Sequence, residues 1–484
     1  MNNSRSKKLL KDVALFSVAS FGPKLLSFFL VPLYTTVLST EAYGTFDLLN
    51  TVYSLMLPVF MLDISDAILI YTVEMKNDAL HRASPLAYGT KILEMSSLLL
   101  SGVAIILIAV FSGRENILIY SIYVIAQYTV NALYNNLLAY LRGIDDVITV
   151  VVASIIHSLV TLLSNVVFIV VTKWGMYGLL IASLLGGIVA DAFISLKINL
   201  ILELKRAEEF SKTEKKAMLK YSIPLIFTGL AWWVNSSSDR LFISAFVGVG
   251  LNGIYAVANK IPTILSACHS IIYQAMQLSV FKESNAEDKS EYYLRLYRIY
   301  AFLMTLACSI LIFLDKLIAG FLFKGDFYIA WKFSPALLIS IAIYSIAGYM
   351  TTIYAAGKKT SLIATSTVCG AVVNTILNAV LIPKFELYGA VIATAVGYFS
   401  IWGIMMWNAK KLMNAKGEIV RSVIGFATLV FQWITLLCMD NSVCVQLFLM
   451  AMVVIIYFST VNELYLIIIN LIKELILKIR KGEK

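Results

Sequence analysis

An all-α integral membrane fold is predicted by three features of the sequence. The 484 residues are 60% hydrophobic and only 14% charged, with a mean hydropathy of +0.84, whereas soluble domains are about half apolar and about a quarter charged. Apolar runs long enough to cross a bilayer, about 20 residues at a rise of roughly 1.5 Å each, recur about fourteen times between charged interruptions. Lysine and arginine favour alternate loops. The set near residues 5–11, 76–82, 142, 205–220, 282–298, 358–359, 410–421 and the tail holds about thirty of the 39 cations, the other set about six. This bias predicts that both termini are cytoplasmic. It also accounts for the net charge of +10 without a nucleic-acid partner, which would need a soluble basic face.

The first span follows the basic start MNNSRSKKLLKD and has no small-residue cleavage pattern, so it reads as a retained helix. It carries Pro23, Lys24 and Pro32, with Lys24 about eleven residues, or roughly 17 Å, into the membrane. After LSTEAYG, span two (about 43–71) contains Asp47, Asn50, Pro58, Asp63 and Asp66, a polar density that implies an interior or cavity face. Spans three and four (about 86–111 and 117–141) flank SGREN, and Glu94 lies near the inner end of span three. Span five (about 147–172) holds Asn165 and leads through KWGMYG into span six, which carries Asp191. The charged stretch ELKRAEEFSKTEKKAMLK then separates two halves.

The second half repeats the first. Tyr43-Gly44-Thr45-Phe46 aligns with Asn252-Gly253-Ile254-Tyr255, which sets Asn50 beside Asn259; LRG at 141–143 lies opposite AAG at 355–357. NVVFIVVTKWGMYG and NAVLIPKFELYG correspond from Asn165 and Asn378. Two parallel six-helix repeats forming two lobes, 1–208 and 209–415, are the economical reading, followed by two extra C-terminal spans within 416–484. The tail NLIKELILKIRKGEK places Ile472, Leu475, Ile476 and Ile479 on one face, as an interfacial amphipathic helix does.

The five cysteines fall in or beside apolar spans without metal-binding spacing and read as small core residues. Cys438 and Cys444 bracket a short external loop and stand close enough in sequence for a disulfide. The three histidines are scattered, giving no zinc signal, and no cofactor motif is present.

Candidate function rests on cations inside the apolar spans. Arg240 and Lys260 each lie about eight residues from the turn at 248–252, hence roughly 12 Å from the same membrane face, and Lys24 occupies the opening span of the other repeat. Three intramembrane cations are placed for an anion, and a phosphate or diphosphate suits Arg and Lys best. The alternative is that Asp239 or Asp47 neutralises them and the pairs hold the halves together. Asn50, Asn235, Ser236, Ser237, Ser238, Asp239 and Asn259 would line a watery path, or serve as interhelical glue. Trp232 and Trp233 would stack on sugar or pack against lipid. Asp47, Asp63 and Asp66 would bind a coupling H+ or Na+, or pair with the cations.

The stretches FGPKLLSFFLVPLYTTVLSTEAYGTFDLLNTVYSLMLPVF and YSIPLIFTGLAWWVNSSSDRLFISAFVGVGLNGIYAVANKIP resemble the bacterial polysaccharide-biosynthesis flippases of the multidrug/oligosaccharidyl-lipid/polysaccharide exporter superfamily. The resemblance covers nearly the whole chain. It implies two six-helix lobes around a cationic lumen that moves undecaprenyl-diphosphate-linked oligosaccharide between leaflets of the plasma membrane by alternating access. It also implies Lys24, Arg240 and Lys260 as lumen cations, and membrane lipid and polysaccharide polymerase machinery as partners. One departure stands out: Ile70 precedes Tyr71 where the family often carries arginine. Two rivals remain. An ion-coupled drug or metabolite antiporter of the same fold would favour an acidic cavity. A membrane polysaccharide polymerase or ligase would need a larger external loop than any here, the longest being GFLFKGDFYIAWKFS.

Overall fold

The computed structural model describes residues 28–75, 78, 81–110, 116–282, 288–357, 359–409, 416–439 and 443–462. Among these residues there is no β-strand, and the expected all-α membrane fold is what the chain adopts. Helices α1 (Val31–Val37), α2 (Thr40–Phe60), α3 (Ile64–Glu74), α4 (Ser84–Val110), α5 (Ile117–Gly143), α6 (Val147–Asn165), α7 (Gly175–Lys197), α8 (Leu200–Arg206), α9 (Lys212–Phe246) and α10 (Val249–Ala258) come first. They are followed by α11 (Pro262–Lys282), α12 (Lys289–Leu322), α13 (Ser334–Ala356), α14 (Thr360–Ala409), α15 (Lys416–Cys438) and α16 (Val443–Ile456).

Nine of the described helices are long and apolar enough to cross a membrane, and α2 with α3, bent by 49°, makes ten when the pair is counted as one span. Helix α14 is two limbs: Glu386 leaves the helical region (φ 49°, ψ −127°), and a Cβ on Gly389 would sit 2.5 Å from the Leu381 carbonyl, so the second limb folds back hard on the first. Large apolar side chains such as Leu98, Leu99, Ile105 and Leu196 are exposed on these spans, the surface a bilayer would cover. The amphipathic tail lies outside the described residues. Cys438 and Cys444 are free thiols, so the bridge allowed by their spacing is not formed.

Packing divides the chain into two compact units, Met1–Val257 with Leu322–Phe327, and Ala258–Phe321 with Tyr328–Lys484. This division differs in kind from the repeat boundary expected at 208/209, because α9 and most of α10, which open the second repeat, pack with helices of the first.

In the first unit the core gathers Met61, Ile64, Ile68, Tyr128, Leu137 and Tyr140 from α3 and α5 and the turn before α3. Backbones approach where glycine removes the Cβ. On α7, a Cβ on Gly186 would lie 1.9 Å from the Thr161 hydroxyl of α6, and one on Gly187 2.3 Å from Val130 of α5.

One end of this unit is rich in ion pairs between the loop before α4 and the linker from α8 to α9. Arg82 binds Glu203 at 2.8 Å, and Tyr140 donates to the same carboxylate at 3.1 Å. His81 meets Asp78 at 2.7 Å and Glu208 at 2.9 Å, and Glu209 meets Lys215 and Lys91. Ser211 caps α9 with Glu214 in a reciprocal box. We refer to this as the linker end.

The second unit fastens its C-terminal helices through polar side chains. Ser309 on α12 donates to Gln432 on α15 at 2.8 Å, and the Gln432 amide returns a bond to the Ser309 carbonyl at 3.0 Å. Arg298 on α12 and Arg421 share the buried Glu418 of α15, at 2.8 and 3.0 Å. His269 on α11 bonds the Tyr300 hydroxyl within a group of tyrosine rings that includes Tyr273 and Tyr344.

Candidate functional site in the first unit

Arg240 lies six residues before the end of α9 and Asp47 seven residues after the start of α2. Each is therefore roughly 10 Å from its helix end at a rise of about 1.5 Å per residue. They meet: Arg240 Nε stands 3.0 Å from Asp47 Oδ2, with the two side chains 19% and 21% exposed. The contact is ionic, for Nε has no well-aligned hydrogen bond. The only other bond the guanidinium makes among the described residues is a long one, Nη1 to the Ser236 carbonyl at 3.5 Å. A guanidinium has five N–H donors, so most of the fork is left for a further acceptor.

Asp47 is held from a second side. The Asn252 amide of α10, fully buried, donates to Asp47 Oδ2 at 3.3 Å and to the Gly44 carbonyl at 3.0 Å. This contact exists because α2 and α10 touch through glycines. A Cβ on Gly44 would lie 2.0 Å from the Val249 carbonyl oxygen, and one on Gly253 would lie 2.0 Å from that of Thr40. The two relations mirror each other, each glycine facing the carbonyl four residues before the other. They are the residues that the repeat alignment sets side by side.

The other acid beside Arg240 is also occupied. Asp239 is buried, accepts the Tyr255 hydroxyl, and takes the Arg240 backbone N–H at 3.0 Å. Adjacent residues on a helix point about 100° apart, and the structure uses both directions: Arg240 turns to α2 and Asp239 to α10.

The polar stripe divides. Asn50 accepts the Tyr123 hydroxyl at 2.9 Å, and Tyr123 also meets Ser183 at 3.0 Å, which joins α2, α5 and α7. Asn235 is buried and donates to the Ala231 carbonyl at 2.8 Å, and Ser238 bonds back to Val234. Ser236 is exposed and touches Ser237 at 3.2 Å. Trp233 donates its indole N–H to Ser54 at 3.0 Å, tying α9 to α2.

Asp63 sits in the break between α2 and α3, where Leu62 (φ 53°) and Asp63 (φ 51°) are both left-handed. Side-chain-bearing residues adopt that region at a cost of about 1–2 kcal/mol each, and Pro58, one turn earlier, already removes a helical hydrogen bond. The bend places the Asp63 carboxylate 3.7 Å from where a Cβ on Gly229 of α9 would be. Asp66, one turn on, is exposed.

Asn259 and Lys260 belong to the second unit, in the break between α10 and α11, where the Lys260 carbonyl accepts from Thr263 at 2.5 Å. Lys24 lies outside the described residues. The structure thus brings Arg240, Asp47 and Asp239 into one cluster. It adds Asn252, Tyr255 and Tyr123, which the residue-level reading passed over. The signal for two of them was in the repeat: Asn252 and Tyr255 stand opposite Tyr43 and Phe46 of α2, so they occupy the surface that faces it.

Comparison with known proteins gives three findings. Among solved structures, the chain matches a lipid II flippase, MurJ, in an inward closed conformation, with a TM-score of 0.68 and 18% identity over 94% of this chain and 100% of that one. It also matches an inward-facing multidrug resistance MATE family transporter of the MOP superfamily, with a TM-score of 0.65 and 14% identity over 81% of this chain and 94% of that one. At these identities the matches establish the fold. An uncharacterized membrane protein of Methanocaldococcus jannaschii is 36% identical over 117 residues, and the chain spans under a quarter (23%) of that curated relative's length. The family model described as polysaccharide biosynthesis protein matches residues 9–277. Because that match takes in more than half of the sequence, the chain belongs to the polysaccharide biosynthesis protein family, and its fold is the one shared with the flippase and the MATE transporter it matches.

Proposed function

We propose that this protein is a flippase that moves polyprenyl-diphosphate-linked oligosaccharide, of the undecaprenyl type, from the cytoplasmic to the outer leaflet of the plasma membrane by alternating access. The product would feed assembly of a surface polysaccharide such as O-antigen or capsule. The observation that carries the reading is Arg240: an intramembrane guanidinium whose fork is mostly free among the described residues, in a polysaccharide biosynthesis protein. Bringing a diphosphate into a membrane requires charge-assisted donors to replace its water, and Arg supplies two in parallel.

In this reading Arg240, Lys24 and Lys260 bind the diphosphate, and Ser236, Asn50, Asn235, Asp239 and Asn259 border the path of the sugars. The lobes are 1–208 and 209–415, with 416–484 appended. Both termini are cytoplasmic, so the linker end faces the cytoplasm, and polysaccharide polymerase machinery is the partner that would take up the product. The reaction is movement without covalent chemistry, so no catalytic residue or cofactor is assigned. Lipid supports the structure and receives the polyprenyl tail. Asp47, Asp63 and Asp66 stand as the acids for a coupling H+ or Na+.

A second reading, an ion-coupled antiporter, draws on the Arg240–Asp47 pair, which lowers the net positive charge of the cluster. The test is reconstitution with a fluorescent polyprenyl-diphosphate oligosaccharide. Flippase function predicts protein-dependent loss of the lipid from the starting leaflet, reduced at least about tenfold by Arg240→Gln; transport of small organic cations in its place supports the antiporter.

A further inference from the structure

Asp191 is a carboxyl that the cation cluster does not use. It lies on α7, six residues before Lys197 and so roughly 9 Å from the linker end. It is 6% exposed, makes no hydrogen bond or ion pair among the described residues, and its Oδ1 is buried without a partner. A bare carboxylate at that depth is costly, and intramembrane acids of this kind bind a cation or carry a proton.

The glycine pair one turn away fixes what surrounds it. Gly186 and Gly187 bring α7 against His157 and Thr161 of α6 and against Val130 of α5. Asp191 lies one turn toward the linker end of this crossing, where Tyr134 of α5 faces α6. The Tyr134 hydroxyl is 3.3 Å from Ser154 of α6, and its ring meets the His157 ring edge-on at 5.2 Å. Tyr134 lies within electrostatic reach of both Asp191 and Arg142. The titratable groups facing this layer are thus Tyr134 from α5 and His157 from α6.

We infer that Asp191 is a proton-binding site in the first unit, loaded and unloaded during transport; this rests on the transporter reading above. Loading forms one O–H bond on the carboxylate with a proton taken from water, and unloading returns it. A proton suits the site better than a metal ion. Asp191 is a single carboxylate, and among the described residues no group of three or more His, Cys, Asp or Glu is arranged to hold a metal.

The test is dicyclohexylcarbodiimide labelling of the full-length protein in proteoliposomes, mapped by peptide mass spectrometry, since this reagent attacks protonated carboxyls in apolar surroundings. The proposal expects modification at residue 191 that falls at least about fivefold between about pH 5 and about pH 9. The label should be absent in Asp191→Asn and retained with a shifted profile in Asp191→Glu. No label at low pH, equal labelling at every pH, or suppression by Na+ at fixed pH overturns it. Wild-type labelling decides the matter even if a variant fails to fold. The assay reads the site without substrate, so a pH-dependent label in a protein that moves no lipid-linked oligosaccharide retires the flippase reading and keeps the site.

Discussion

Arg240 illustrates how much a single pair can decide. Its guanidinium is held by Asp47 but not saturated, which leaves it both anchored and able to take another anion. Removing it strands a largely buried carboxylate, and such stranding costs up to about 3 kcal/mol for a pair this close to water. Arg240→Gln should therefore lower thermal stability in detergent, and Asp47→Asn in the same chain should restore most of it. If the double variant is stable yet does not transport, the role of Arg240 goes beyond holding α2 to α9. Equal stability of all three variants would mean that the pair is not formed. The sequence singled out Arg240 because charges in apolar runs stand out, but it grouped Arg240 with Lys24 and Lys260 and offered Asp47 or Asp239 as partners only in the alternative reading. It left open which acid meets which partner, since that depends on Tyr255 and Asn252, ordinary residues made important by packing.

At the scale of elements, the crossing of α2 and α10 is set by Gly44 and Gly253. Each faces a carbonyl oxygen at a distance no side chain tolerates, and overpacking of this kind costs about 1–3 kcal/mol. Gly44→Ala and Gly253→Ala should each lower the melting temperature. The double variant should fall short of the sum, because the first substitution already forces the helices apart. Additive losses would separate the two sites. The repeat alignment had paired these glycines; that they touch each other is a tertiary fact no spacing reveals.

The linker end makes a pH-dependent prediction. His81 is exposed, and its pKa is raised above 6.5, first by its hydrogen bond to Asp78 and then by the charges of Asp78, Glu208 and Glu214. A raised folded value means that the contribution of His81 is fully present below about 6.5 and is lost as pH rises through the folded value. Hydrogen exchange in the segment 199–211 should accelerate over that window in the wild type and show no such step in His81→Gln. A step that survives the substitution would assign it to another group.

For the molecule as a whole, the fold was legible because membrane spans are written in composition: long apolar runs separated by charged loops. Even the bent second span was foreshadowed by Pro58 and the acids after it, although the left-handed pair Leu62–Asp63 was not, since it carries no glycine. The packing division at Val257 was not legible, because it depends on which helices touch and not on how the sequence repeats.

The flippase reading is tested most directly by the lipid that accumulates when the protein is absent. Cells lacking it should build up a polyprenyl-diphosphate-linked oligosaccharide on the cytoplasmic leaflet, cleared by the wild-type protein and not by a stably inserted Arg240→Gln/Asp47→Asn variant. An unchanged pool of lipid-linked intermediates, with normal surface polysaccharide, would contradict it.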